Sequence, residues 1–391
     1  MSEKTPAQSA PVTIQIIANI LAGDAPALTA ETWDSVAITA IVVGLAPLLH
    51  WQIEQQQLAA PPLALAKLAV TRQAHAQRNQ AIAGQLAEIL AACHRQHIPG
   101  IVLKGAILAP LLYPEPALRP MNDIDLLFMP DDLPRVAALL QELGYHGKTK
   151  AADHGPGITK HLSTFRRAGG DGATPNPYLS AAADRTVEPH GSLEEAWFGL
   201  TVDITPGVWP RAIATELHGQ PAHRLSAADT LLHLTVHAAF HVIMGASIFV
   251  QLYDIGRVLS VWRDELDWGQ VIDLSRRARA EPYVVAGLTW AAKIYGTPVP
   301  PGPLAELKLA CAPALLHYID HLTADALFQR SQQPPLTSLA GRLRRGLADR
   351  REAARWAGSL AGKWRVWQTA LAVHKTDTAS LLLGRALKTE T

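Results

Sequence analysis

The sequence has only two cysteines, Cys93 and Cys311, in 391 residues. Two cysteines cannot build a disulfide framework, and these two lack the paired spacing of a zinc site. The net charge is only +1 at pH 7, so no bulk basic field marks the chain as a nucleic-acid binder. No apolar run reaches the roughly 20 residues that a membrane-spanning helix needs. The most apolar stretch, Val36 to Leu49, is shorter and contains Pro47; it reads as a buried helix. Met1 to Pro11 is polar and shows no charged-then-apolar leader pattern. A reducing, cytoplasmic setting without a transmembrane segment is the expectation. No fixed-period repeat is visible. Charged residues make up 18% of the chain and hydrophobic residues 48%, which excludes wholesale disorder and allows a substantial core.

Three regions follow from the patterning. Residues 1–97 read as helical, after a short mobile tail: Leu, Ile and Ala recur at three- and four-residue spacing in Val12–Leu21, Thr32–Gln57 and Leu65–Gln96. Thr29 or Thr32 is placed to cap the second of these helices. Residues 98–222 alternate strand and helix signals. Ile101-Val102-Leu103 is a short apolar strand, Ala106 to Tyr113 a helix, Ile124 to Phe128 a second strand, and Leu133 to Leu143 a helix closed by Gly144. Ile158 to Arg166 is a possible strand, Gly169 to Ala183 a loop, and Arg185 to Glu188 a short strand. Residues 223–391 turn helical again from Ser226, with helices at Leu231–Met244, Phe249–Trp262, Gly269–Ala280, Tyr283–Tyr295 and Leu304–Leu322, then a helical tail beyond Pro334-Pro335. The expected class is α+β: a small mixed sheet flanked by helical regions on both sides.

The chemistry gathers between Ile101 and Phe128. Asp123 and Asp125 sit two apart on a strand, so their side chains share one face, with Cα atoms about 7 Å apart. Two neighbouring carboxylates repel, and an ordinary core would expel them. Divalent cations remove the conflict. Carboxylate oxygens suit Mg²⁺ (or Mn²⁺), and the pair is placed to hold two such ions roughly 4 Å apart. Lys104-Gly105 opens the intervening helix, where free N–H groups and the helix dipole favour phosphate. Arg119 lies in the turn before the second strand, placed either to clamp phosphate oxygens or to pair with Glu115.

This stretch resembles the polymerase-β-like nucleotidyltransferase superfamily: strand, glycine-containing loop, helix, then a strand bearing Asp-x-Asp. The wording around Leu103-Lys104-Gly105, Tyr113-Pro114, Leu118-Arg119-Pro120 and Asp123-Ile124-Asp125-Leu126-Leu127 is similar to a branch of uncharacterised bacterial nucleotidyltransferases. The resemblance runs from about Ile98 to Pro300 and takes in Leu231–His241 and Leu266-Asp267-Trp268. It implies transfer of a nucleoside monophosphate, AMP from ATP in comparable enzymes, to a small molecule, a natural-product or peptide intermediate, or a protein side chain, with release of pyrophosphate. It also implies a third carboxylate on a later strand. Glu188, in Thr-Val-Glu-Pro-His, is the first choice; Asp203 and Asp184 are its rivals. Lys104-Gly105 stands where most members have Gly-Ser, so one hydroxyl contact is missing and Lys104 is left to supply charge to the triphosphate.

His233, His237 and His241 recur every four residues and so share one helix face. No cysteine or acidic ligand in that helix completes a zinc site. The expectation is a polar seam facing the cleft, bonded to groups such as Asp254, with His190, His237 and His241 as acceptor contacts. Residues 342–365 hold eight Lys or Arg against Asp349 and Glu352, and Trp356, Trp364 and Trp367 interleave with this stretch. That reads either as a solvated helix face with docked tryptophans or as a surface for an anionic partner, nucleic acid or lipid. The alternative functions are therefore a degenerate nucleotide-binding module and a nucleic-acid nucleotidyltransferase.

Overall fold

A computed structural model describes residues 13–24, 26–147, 164–167, 186–332 and 339–371. Four helices come first: α1 (Thr13–Ala22), α2 (Ala30–Val42), α3 (Ala46–Gln56) and α4 (Pro62–Arg95). Thr29 caps α2 by accepting the Thr32 N–H at 3.2 Å. The single helix expected over Thr32–Gln57 is two, because Gly44 takes a left-handed φ of 79° between them. Pro47 sits in the first turn of α3, where its missing N–H costs nothing.

The middle of the chain runs β1 (Gly100–Val102), α5 (Lys104–Leu112), β2 (Asp123–Phe128), α6 (Leu133–Glu142), β3 (Tyr145–Gly147), β4 (Phe165–Arg167), β5 (Thr186–His190), β6 (Glu194–Trp197), β7 (Leu200–Asp203), α7 (Val208–Arg211), β8 (Ile213–Leu217) and β9 (Gln220–Arg224). Seven of these strands form a mixed sheet in the order β3-β4-β5-β2-β1-β9-β8. β2 lies antiparallel to β1 and parallel to β5, and β9 runs parallel to β1. β6 and β7 form a separate hairpin. Of the strand expected over Ile158–Arg166, Phe165–Arg167 is observed; the earlier residues, Asp184 and the expected loop at 169–183 lie outside the described residues.

The C-terminal region is helical: α8 (Ala227–Met244), α9 (Phe249–Val261), α10 (Trp268–Ala278), α11 (Glu281–Tyr295), α12 (Pro301–Lys308), α13 (Pro313–His321), α14 (Ala324–Ser331), α15 (Leu339–Trp356) and α16 (Leu360–Leu371). Ser226 caps α8 by accepting the Asp229 N–H, and Gly245 ends it at φ 75°. Among the described residues α8 alone is long and apolar enough to cross a bilayer, but 83% of it is buried inside the protein. The helix expected over Leu304–Leu322 breaks at Cys311-Ala312, and Pro313 opens the next one.

One continuous apolar core joins all three regions, from Ile17 and Leu45 through Ile101 and Leu127 to Val284 and Trp290. Phe240, Tyr283 and Trp356 stack in sequence at 5.1 and 5.3 Å, which docks α15 on the body. The architecture is α+β, with helices flanking a mixed sheet.

Candidate active site

The strand register builds the site. Asp125 lies opposite Glu188 across the parallel β2–β5 pair, and Asp123 lies opposite Thr186. Side chains directly opposed in a sheet share a face, and the period of two adds Asp123 and His190 to it. Ile124, Leu126 and Val187 take the other face and are buried in the core. The alternation that hides the aliphatic residues thus also collects Asp123, Asp125, Glu188 and His190.

Asp125 is the centre, 2% exposed. Its Oδ1 accepts from the Lys104 ammonium at 3.0 Å and lies 2.7 Å from His190 Nε2. Burial opposes ionisation of this carboxyl, but the Lys104 charge and the His190 bond outweigh it and hold Asp125 well below the usual carboxylate range. Asp123 goes the other way. Burial first, then repulsion from Asp125 and Glu188, pushes it up to about 7. Glu188 Oε1 accepts from Thr164 Oγ1 at 3.1 Å. Ligand atoms of Asp125, Glu188 and His190 all lie within 4.8 Å of one another. The donor set fits a divalent cation: two clustered carboxylates offer hard oxygens and His190 an imidazole nitrogen.

Lys104 adopts φ 47° at the head of α5, and burial of its amine is offset by Asp125 and then Asp123, which raise its pKa. It faces the carboxylates and is not a surface lysine. Gly105 is required by its neighbours: a Cβ there would lie 2.1 Å from Arg119 Nη1 and 2.8 Å from Met121 Cγ. What presses on this glycine is the guanidinium of Arg119. Arg119 itself pairs with Asp254, Nη2 to Oδ2 at 2.8 Å and Nε to Oδ1 at 3.3 Å. Tyr113 donates to the same carboxylate at 2.6 Å. Glu115, the neighbour in sequence, pairs instead with Arg72.

Asp203 stands apart. It lies exposed on the β6–β7 hairpin and accepts from Thr205 N at 2.9 Å, a turn contact. Of the two carboxylates within the described residues that compete for the third position, the structure brings Glu188 to Asp125 and leaves Asp203 away. The histidine seam is present, but its partner is Glu195 and not Asp254. His237 Nδ1 lies 2.8 Å from Glu195 Oε1, and the His237 and His241 rings are 4.1 Å apart. Glu195 also raises Lys104, so the seam borders the same electrostatic cluster. Sequence reasoning passed over Glu195 and the Tyr113 hydroxyl, and it set Asp254 beside the histidines where the structure pairs it with Arg119.

Asp123 gives a signed expectation. Its folded pKa lies above the ordinary carboxylate value, so the folded state holds a proton that the unfolded chain releases. Stability of the metal-free protein therefore falls as pH rises from about 4 to about 7 and then levels off. Asp123→Asn should stabilise the metal-free protein by about 1–2 kcal/mol at pH 8, after discounting for partial exposure, and by almost nothing at pH 4. Urea unfolding at the two pH values checks this; an equal gain at both would mean that Asp123 is an ordinary ionised surface acid.

No curated protein matches the chain. The solution structure of the antibiotic-resistance factor ANT(2″)-Ia is similar over 52% of this chain and 93% of that one, with 12% identity and a TM-score of 0.35. The family described as uncharacterised nucleotidyltransferase matches residues 29–296, a span that encloses every residue of the site above. The chain belongs to that family of uncharacterised nucleotidyltransferases.

Proposed function

We propose that the protein moves a nucleoside monophosphate from an NTP to an acceptor nucleophile, in a reaction that depends on divalent metal. The observation that carries this reading is the single sheet face holding Asp123, Asp125 and Glu188, with Lys104 against it. Asp123, Asp125 and Glu188 would hold Mg²⁺ or Mn²⁺, two ions in the full site. The metal would supply charge neutralisation at the α-phosphate and at the departing pyrophosphate.

The acceptor's lone pair forms a bond to the α-phosphorus. The bond from that phosphorus to the bridging oxygen breaks, and its electrons leave on pyrophosphate. Glu188 takes the acceptor's proton. Lys104 holds Asp125 ionised and sets a fixed positive charge beside the phosphates. Positioning and electrostatics supply most of the acceleration in such transfers. ATP is the proposed nucleotide, and the proposed acceptor contacts are His237, held by Glu195, His241 beside it, and His190 on the Asp125 face. A small molecule, a natural-product or peptide intermediate, or a protein side chain is the acceptor class.

A second reading drops the chemistry and keeps the binding. The Lys104–Asp125 pair favours it, because an ammonium already neutralises the carboxylate a metal would use. Label placement separates the two. With ATP, Mg²⁺ and a pooled metabolite and peptide extract, label in the α-phosphate should pass to an acceptor while γ-label leaves as pyrophosphate. ATP that is bound but recovered intact would favour the binding module.

A further inference from the structure

The charge of this chain is segregated. The residues from Leu339 to Leu371 carry eight Lys or Arg against Asp349 and Glu352, a net +6 in a chain whose total is +1. The rest of the molecule is therefore net −5. Of the two acids, Glu352 is buried and tied to Arg330 and Arg355. Arg344, Arg351, Lys363 and Arg365 are exposed and make no ion pair with a described residue.

The tryptophans of this region divide. Trp356 is buried against Tyr283 and Trp290. Trp364 is 61% exposed, and Leu360, one turn earlier on α16, is 85% exposed. At about 100° per residue these two form one outward stripe, with Lys363 on one side and Arg365 on the other. Val366, on the opposite face, is fully buried and fastens α16 to the body. The helix thus presents an apolar crest flanked by cations, with its own apolar anchor already spent on the fold.

We propose that α16 is a membrane-surface contact that seats the protein on anionic lipid. A leucine and a tryptophan at the crest, with Lys and Arg beside them, match what enters the boundary between headgroups and acyl chains. The cations find the phosphate and phosphatidylglycerol charges of the leaflet. A phosphodiester backbone would satisfy the cations and could stack a base on Trp364, but it offers Leu360 nothing. The contact goes beyond the transfer reaction and does not depend on it, since no residue of the site lies on α16.

The test uses the full chain and sedimentation with vesicles of phosphatidylcholine alone or mixed two to one with phosphatidylglycerol. Binding to the mixed vesicles at low salt, with little to phosphatidylcholine alone and loss as salt rises, is the expected result. Leu360→Ser with Trp364→Ser should weaken binding by about tenfold or more. Lys363→Gln with Arg365→Gln should cost about fivefold for each charge removed. All four positions are exposed, so melting temperatures should stay at the wild-type value, which separates lost contact from lost fold. Wild-type protein that stays in the supernatant with anionic vesicles at low salt would overturn the proposal. So would equal sedimentation with neutral lipid, or serine variants that bind like the wild type. Two further results would reassign the stripe: self-association abolished by the serine variants without vesicle binding, or single-stranded RNA bound in place of lipid.

Discussion

Asp125→Ala should remove nucleotidyl transfer, lowering turnover by about 10³-fold or more. This carboxylate is the shared partner of Lys104 and His190 and the register neighbour of Glu188. Without it the cluster loses its central carboxylate, and Lys104 and His190 lose the group they share. Asp125→Asn is the sharper variant, because it keeps the shape and removes only the charge. The stability response should separate Asp125 from Asp123. Removing Asp125 takes from the buried Lys104 ammonium its hydrogen-bonded carboxylate and should destabilise by about 3 kcal/mol. Removing Asp123 relieves repulsion and should stabilise. Transfer of α-phosphate label, measured beside urea unfolding for each variant, reads both effects. Wild-type transfer by Asp125→Asn would mean that the carboxylates are structural and the chemistry lies elsewhere.

Arg119→Ala should cost about 3–5 kcal/mol of folding stability. Asp254 is 0% exposed, and Arg119 supplies its charge partner through two contacts. With the guanidinium gone, only the Tyr113 hydroxyl remains among the contacts described above, and a buried carboxylate with one hydrogen bond is poorly compensated. Removing both members, as in Arg119→Met with Asp254→Leu, should recover most of the loss, since the penalty comes from the charge left behind. The pair joins the turn before β2 to α9, so it sets where Asp123 and Asp125 stand relative to the C-terminal helices. A phosphate clamp would behave differently: Arg119→Ala would leave stability intact and weaken only nucleotide binding. Urea unfolding together with nucleotide titration distinguishes the two.

What the sequence disclosed, and what it withheld, follows from the range over which each signal acts. Asp123 and Asp125 were legible because a period of two is local and needs no partner. Glu188 was favoured from the wording around it, and the register that sets it against Asp125 comes from pairing between segments far apart in sequence. Partners were the part that failed. Glu115 was the nearby acid for Arg119, yet Asp254 lies 135 residues away and takes it. Asp254 was offered to the histidines, yet Glu195 reaches them from a hairpin. The β8–β9 hairpin was missed because its strands are five residues long and carry Glu, Gln, Pro and His. Their extended form comes from pairing and not from side-chain pattern. Gly44 read as one more residue of an apolar helix, and only its left-handed φ shows that the helix ends there.

The most direct measurement is a thermal melt of the full chain with each NTP, with and without Mg²⁺, for the wild type and Asp123→Ala. Each protein is referred to its own unliganded melt, because Asp123→Ala is itself expected to be more stable. A ligand at 100 times its Kd adds about 2.7 kcal/mol, which raises the melting temperature by a few degrees. The expected result is an upward shift that needs both nucleotide and Mg²⁺ in the wild type and is absent in Asp123→Ala. No shift with any NTP, or the same Mg²⁺-dependent shift in both proteins, would contradict a metal–nucleotide site on the Asp123, Asp125 and Glu188 face.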